Sequence, residues 1–364
     1  MTVLGIETSC DETAASVCSV DSPENGVHML SNTVVSQIDI HKAYGGVVPE
    51  VAARSHIEAI IPTIDESLKT AFGTDNRDEQ WSRIDAIAVT QGAGLNGSLL
   101  IGVMTARALA IARQKPLLAC NHVEGHVYAN FITSTNLSGY TLPGEAPRFP
   151  MLALIVSGKH SQLVMFYDHF TYEVLGVAYD DAIGEAFDKV AKMTGLPYPG
   201  GPSVARAAKL GNDHAFELPK SKIEGEYNFS FSGLKTAVLR RAQFMCGRDH
   251  TMHSTELPSA LSEAQINDIA ATFQRVAIET LVDKAAKAYK QYSPASVVIA
   301  GGVAANQELR GQLQSAIPQT PIYTDPQLCT DNGAMIASLG CFKLLKHVPF
   351  TDPYSLESNP SLKM

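Results

Sequence analysis

Two stretches of the chain share a design that few folds accommodate. Residues 84–90 (IDAIAVT) form an apolar run of the buried-strand type, which enters the glycine-rich turn Gln91-Gly92-Ala93-Gly94-Leu95-Asn96-Gly97-Ser98. A helix over about residues 99–114 follows. Far downstream, the β-branched strand 296–300 (SVVIA) ends in Gly301-Gly302, with a helix starting near Ala304 and Asn306. Strand, glycine turn, helix is the layout in which a helix N-terminus meets a phosphate, because a glycine backbone lets the ligand approach closely. Neither copy is a Walker A motif, since no Gly-Lys-Ser/Thr follows.

A second pair of segments is also duplicated. Val3-Leu4-Gly5-Ile6-Glu7, the polar turn 8–13 (TSCDET) and the run 14–20 (AASVCSV) predict a hairpin whose tip carries hydroxyls and carboxylates. Residues 151–156 (MLALIV), Ser157-Gly158-Lys159-His160-Ser161 and 162–166 (QLVMF) repeat the plan, a weak internal duplication. Together the four units predict a two-lobed α/β nucleotide-binding fold with a cleft between lobes. A length of 364 residues agrees with about two domains. The Ser/Thr/Gly/Pro-rich segment 133–149 marks the seam. The expected division is an N-terminal lobe over 1–132, with helix 331–346 packing back on it, and a C-terminal lobe over 133–330. Residues 38–50, with Gly45, Gly46 and Pro49, read as a loop, and 51–72 as a helix interrupted by Pro62.

Composition excludes several classes. No run of 18 apolar residues spans a membrane, and a strand pattern from Val3 leaves no room for a leader peptide. Six cysteines without a C-x-x-C pair argue against a structural zinc site and fit a reducing cytoplasm. A net charge of −9 means that a nucleic-acid partner needs a local basic face or help from another protein. Such a face has one candidate, within the mostly helical segment 176–292: between residues 220 and 248, Lys220, Lys222, Lys235, Arg240, Arg241 and Arg248 alternate with Tyr227, Phe229, Phe231 and Phe244. A solvated helix face with core aromatics fits that pattern equally well.

Asn121-His122-Val123-Glu124-Gly125-His126 places two imidazoles at i and i+4, on one face of a helix and at a metal-ligand spacing. Taken alone, such a pair is more often two surface histidines. Thr330-Asp331-Asn332-Gly333 precedes an apolar helix, so Asp331 is either its N-cap or a third metal ligand.

In order along the chain, GIETSCDETAASV, GGVVPEVAARSH, NHVEGH, GEAFDK, YPGGP, FSFSGLKTAV, GGVAANQELR and CTDNGAMIA resemble the universal tRNA threonylcarbamoyladenosine transferase family (TsaD), in its bacterial form. The resemblance runs from Gly5 to about Leu345. It implies the actin-like/sugar kinase/Hsp70 ATPase (ASKHA) fold. The implied activity is transfer of threonylcarbamoyl from threonylcarbamoyl-AMP to N6 of adenosine 37 in tRNAs reading codons that begin with A. On these positions it implies a divalent metal, iron or zinc, on His122, His126 and Asp331. The adenylate would lie along Ile155, Val156, Ser157, Gly158 and Lys159, with Asp188 accepting from the ribose hydroxyls, Gly201 lining the pocket and Asn306 near the adenine. ATP or ADP is a further possible occupant. Asp11 or Glu12, at the first hairpin tip, is the candidate to take the amine proton. The implied partners are tRNA, a TsaB-like paralogue and a TsaE-like ATPase.

Two positions depart from the family pattern. Gly92-Ala93-Gly94 replaces glycine-proline-glycine, and Ser157-Gly158-Lys159-His160 replaces Ser-Gly-Gly-His. Lys159 therefore carries backbone strain, if the turn needs positive φ, or offers its ammonium to a phosphate. The rival activities are a metalloprotease and a non-catalytic partner-binding protein of the same fold. Glu124 sits about 200° around the helix from His122, which disfavours the protease. Retention of the two histidines, Asp331, Asp188 and Asn306 disfavours the non-catalytic protein.

Overall fold

The computed structural model describes residues 1–220, 223–248 and 251–364, so Lys222 of the basic segment lies outside the described residues. The chain starts with the antiparallel hairpin β1 (Thr2–Glu7) and β2 (Glu12–Ser19), followed by β3 (Val27–Met29) and β4 (Thr33–Ser36). Next come α1 (Ile38–Lys42), α2 (Pro49–Phe72) and α3 (Arg77–Ser82). Then β5 (Ala86–Gly92), α4 (Asn96–Arg113), β6 (Leu117–Asn121), α5 (His122–Tyr128) and β7 (Ile132–Thr135) complete the first run. A second run holds β8 (Met151–Val156), β9 (Ser161–Asp168), β10 (Thr171–Val177), α6 (Ile183–Thr194), α7 (Gly200–Ala208), α8 (Ser232–Met245), α9 (Leu257–Ala260), α10 (Glu263–Tyr292), β11 (Ser296–Ala300) and α11 (Gln307–Ala316). Finally α12 (Pro326–Cys329) and α13 (Gly333–Leu345) return to the first unit.

The first unit comprises Met1–Pro147 and Ile322–Met364. Its sheet has the order β6-β5-β1-β2-β3-β7, with β4 also paired to β2. β1 runs antiparallel to β2 and parallel to β5, and β5 runs parallel to β6. β1, β2 and β5 are nearly continuous apolar runs because both faces of the sheet are covered, by α2 and α4 on one side and α13 on the other. α13 lies flush on the sheet: a Cβ on Gly333 would sit 2.5 Å from Ala15 C and 2.6 Å from Ser16 N.

The second unit is Arg148–Pro321. Its sheet, β10-β9-β8-β11, combines the antiparallel hairpin β8–β9 with β11, which runs parallel to β8. The 30-residue α10 starts at a capping box in which Ser262 and Gln265 satisfy each other's backbone N–H groups, and it packs against α7, α8 and α11.

Several sequence expectations change. The units change over at 147/148 and 321/322, against the expected 132/133 and 330/331. β7 pairs with β3, and Thr141 N–H bonds to Asp325, holding both flanks in the first unit. The loop 38–50 begins with a short helix, α1, ahead of its glycines. Pro62 sits inside α2 without ending it. The aromatics of the basic segment divide: Tyr227, Phe229 and Phe231 are buried, and only Phe244 is exposed. Lys220 pairs with Asp283 and Glu279, and Lys235 with Asp181. Arg241 lies over the rings of Phe216 and Phe244. Core burial accounts for Tyr227, Phe229 and Phe231, and local partners for Lys220, Lys235 and Arg241.

Candidate metal centre and active site

β6 runs directly into α5, and the junction is set by Asn121. Its Oδ1 accepts the N–H groups of Val123 (2.8 Å) and Glu124 (3.3 Å), a helix N-cap. One turn apart on α5, His122 and His126 are both buried, with ring centroids 4.7 Å apart. Asp331 reaches them from the segment between α12 and α13. It is not the cap of α13; Asn332 takes that role by accepting Met335 N–H. At Asp331 the chain has already returned to the first unit, so all three residues belong to one unit. Asp331 Oδ1 lies 3.6 Å from His122 Nε2 and 3.4 Å from His126 Nε2.

These three residues form a group able to hold a metal ion, with one ligand atom from each lying within 4.8 Å of the others. Among the described residues, neither ring nitrogen of buried His126 has a hydrogen-bond partner, an unusual cost for a polar group unless another ligand satisfies it. Donor atoms on a tetrahedral ion with bonds of about 2.1 Å lie about 3.4 Å apart, close to the two Nε2–Oδ1 separations. Two imidazoles and a carboxylate suit a borderline transition metal. Behind His122, Nδ1 is 3.2 Å from Glu7 Oε2 and 3.1 Å from Ser9 Oγ. Glu7 is wholly buried and accepts hydrogen bonds from Ser9 N–H and from the Thr90 hydroxyl (2.5 Å).

Asp11 and Glu12 lie at the tip of the β1–β2 hairpin, both partly buried. Asp11 O accepts Gln37 N–H, and Glu12 Oε1 accepts from the Ser36 hydroxyl (3.3 Å). Burial first, then the charges of Asp331 and Asp11, hold the Glu12 carboxyl well above the usual carboxylate range. Glu12 thus shares its electrostatic environment with the metal group.

In the second unit, the turn between β8 and β9 is closed by Ser157 N–H to His160 O (2.8 Å) and His160 N–H to Ser157 Oγ (3.1 Å). Ile155 and Val156 are fully buried; Ile155 is paired with Gln162 on β9 and Ala300 on β11, and Val156 with Ser161, so neither is open to a ligand. Gly158 and Lys159 are exposed at the tip. The described non-glycine residues with positive φ are Gln114, Phe170, Ser293 and His347; Lys159 is not among them, so the strain reading falls. The turn packs against Gly184 on α6 and Gly301 after β11. One turn along α6, Asp188 Oδ1 accepts Gly200 N–H (2.7 Å), and burial raises its pKa above the ordinary value. Gly201 follows, with open space where a Cβ would stand. Asn306 caps α11 through Glu308 and Leu309 N–H and donates to Gln274 Oε1, so its carboxamide already has structural work at both ends.

The family model described as TsaD, tRNA N6-adenosine threonylcarbamoyltransferase, matches residues 28–338. A protein of that name from Bacillus subtilis (strain 168) is 44% identical over 369 residues, spanning 100% of this chain and 96% of that protein. One from Dehalococcoides mccartyi (strain CBDB1) is 47% identical over 347 residues, 95% of this chain and 94% of that protein. The chain belongs to the tRNA N6-adenosine threonylcarbamoyltransferase family. Its fold is of the ASKHA type. HypF from T. kodakarensis aligns over 95% of this chain and 48% of that one, with TM-score 0.57 and 15% identity, a likeness of fold alone. No described helix is long and apolar enough to cross a membrane.

For a member of this family, the sequence reading left out Glu7, Ser9 and Thr90 behind the first histidine. The available signal was a carboxylate ending an apolar strand, a residue that burial penalises unless it is partnered. Asn121 was also legible, as a capping residue directly before the histidine pair.

Proposed function

We propose that this chain transfers the threonylcarbamoyl group of threonylcarbamoyl-AMP to N6 of adenosine 37 in tRNAs reading codons that begin with A. The observation that carries the reading is the group of buried His122 and His126 with partly exposed Asp331, beside Asp11 and Glu12 at the hairpin tip. A divalent ion held by His122, His126 and Asp331, iron or zinc, would supply Lewis acidity toward the carbamoyl oxygen. The attacking N6 amine forms a C–N bond to the carbamoyl carbon, the C–O bond to phosphate breaks, and AMP leaves with the electron pair. The amine proton passes to Glu12 or Asp11; burial and the neighbouring carboxylates raise the pKa of Glu12, which makes it the more basic carboxylate. The aromatic amine is a weak nucleophile, so positioning and charge stabilisation carry most of the rate.

The adenylate is held by the second unit. The turn Ser157, Gly158 and Lys159 flanks it, carried on the strand end Ile155 and Val156. Asp188 accepts from the ribose hydroxyls, Gly201 leaves room for the nucleotide, and Asn306 lies by the adenine. ATP or ADP fits the same chemistry. The acidic chain works in the cytoplasm with a TsaB-like paralogue and a TsaE-like ATPase, which help to hold tRNA. The test is purified chain with labelled threonylcarbamoyl-AMP and tRNA, alone and with each partner. Label appearing on adenosine 37 is expected; no label on tRNA in any combination overturns the proposal.

A further inference from the structure

The geometry points to Glu7 as a positioning residue that fixes the tautomer of His122 and so readies its Nε2 to bind a metal. The inference rests on the reading of His122, His126 and Asp331 as a metal group. His122 stands between two carboxylates: Glu7 Oε2 is 3.2 Å from Nδ1, and Asp331 Oδ1 is 3.6 Å from Nε2. A neutral imidazole carries one proton, and an ionised carboxylate only accepts. If Asp331 holds that proton, Nε2 is blocked as a ligand. If Glu7 holds it on Nδ1, the Nε2 lone pair faces Asp331 and the metal position.

The surroundings favour Glu7. It is fully buried at the end of β1, and two further donors, Ser9 N–H and the Thr90 hydroxyl, converge on its two oxygens. With an N–H and a hydroxyl already donating to its oxygens, Glu7 acts as the acceptor of this group, and the proton that Nδ1 shares with Glu7 Oε2 and Ser9 Oγ (3.1 Å) is placed on Nδ1. Asp331 is partly exposed and farther from its nitrogen, a weaker competitor for the proton. Carboxylates in this relation to a metal-binding histidine orient the ring and raise its basicity.

Glu7→Gln separates this role from a structural one. The substituted carboxamide keeps the shape and one acceptor oxygen. With that oxygen on Ser9 N–H, its NH₂ faces His122 Nδ1 and drives the proton to Nε2. The reverse orientation sets NH₂ against Ser9 N–H. In the full chain treated with chelator, long-range ¹H–¹⁵N spectra assign the His122 tautomer, and competition with a chromogenic chelator gives the Zn²⁺ affinity. The expected result is a proton on Nδ1 in the wild type and on Nε2 in Glu7→Gln, with Zn²⁺ binding weakened by about 10- to 100-fold. Thr90→Val, which removes only the hydroxyl holding Glu7, should weaken Zn²⁺ several-fold. An unchanged tautomer with affinity within about twofold of wild type overturns the inference. So does a wild-type proton on Nε2, which needs no variant to fold. A wild type that binds no Zn²⁺ sinks the metal reading itself.

Discussion

Gly333→Ala tests how closely α13 must lie on the sheet for Asp331 to reach the histidines. An added Cβ meets backbone only: Ala15 C at 2.5 Å, Ser16 N at 2.6 Å and Ala15 Cα at 2.8 Å. Ordinary carbon contacts are about 3.5–4.0 Å, so the start of α13 must retreat by about 1 Å. Overpacking costs about 1–3 kcal/mol, and unyielding backbone puts this site near about 3 kcal/mol. For a folding unit of this size, each kcal/mol lowers Tm by about 2–4 °C, giving a fall of about 6–12 °C. Asp331 lies two residues before Gly333, and metal–ligand distances tolerate only about 0.2 Å. Zn²⁺ affinity should therefore fall by at least about tenfold. Gly340→Ala is the control. Its Cβ meets the side chains of Ala88 (2.6 Å) and Val3 (2.9 Å), farther along the same helix, so Tm drops while affinity holds. Differential scanning calorimetry and chelator competition read both quantities. Gly333→Ala with wild-type Tm and affinity refutes the reasoning, as does a Gly340→Ala that loses metal equally.

Four further outcomes follow from the geometry. Glu12→Ala and Asp11→Ala should together identify the proton acceptor: at least one loses about 10²-fold or more in transfer rate while Zn²⁺ binding persists, and full activity in both rules the role out. Gly201→Ala should fold normally, with open space for its Cβ, and raise KM for the adenylate; Gly200→Ala, whose Cβ would stand 2.5 Å from Asp188 Cα, should lose stability as well, and equal melting curves for the two would contradict this. Lys159→Gly should leave the urea midpoint the same or slightly lower, because the lysine occupies no strained φ and glycine adds freedom to the unfolded chain; a gain of about 1 kcal/mol would restore the strain reading. Burial lowers the pKa of His56, whose Nε2 faces Cys10 O at 3.0 Å. The unfolded chain therefore takes up this proton first, so its contribution to stability is complete above the ordinary value near 6.5 and declines as pH falls below it. Urea midpoints between pH 8 and 5, compared with those of His56→Gln, measure that component; an identical pH dependence in both proteins would refute it.

Both hairpins and both strand–glycine–helix units were legible because strands buried on two faces leave continuous apolar runs, and glycines mark where the runs end. The histidine pair was legible from the helical period alone. β3, β4 and β7 were not: with three or four residues each, they are too short to show an alternating pattern. The aromatics at 227, 229 and 231 illustrate a different limit. Their spacing is compatible with an exposed stacking platform and with a core, and burial alone decides between them. The family resemblance implies a ligand contact for Asn306, yet its cap of α11 explains an asparagine there without any ligand.

Asp331 shows how the site's specificity exceeds what its motif carries. Before a helix, an aspartate invites the capping explanation, and it was the neighbour, Asn332, that made Asp331 available by taking the cap itself. Asn121 does the equivalent for the histidines, satisfying the first N–H groups of α5 so that the helix can begin on His122 with no slack turn. The histidines thus follow one asparagine cap and Asp331 directly precedes another, and Glu7 at the end of β1 engages the first histidine from within the sheet. An H-x-x-x-H pair is common. A pair whose helix start, third ligand and buried hydrogen-bond acceptor are each held by a separate element leaves the imidazoles little freedom to do anything but converge on one point.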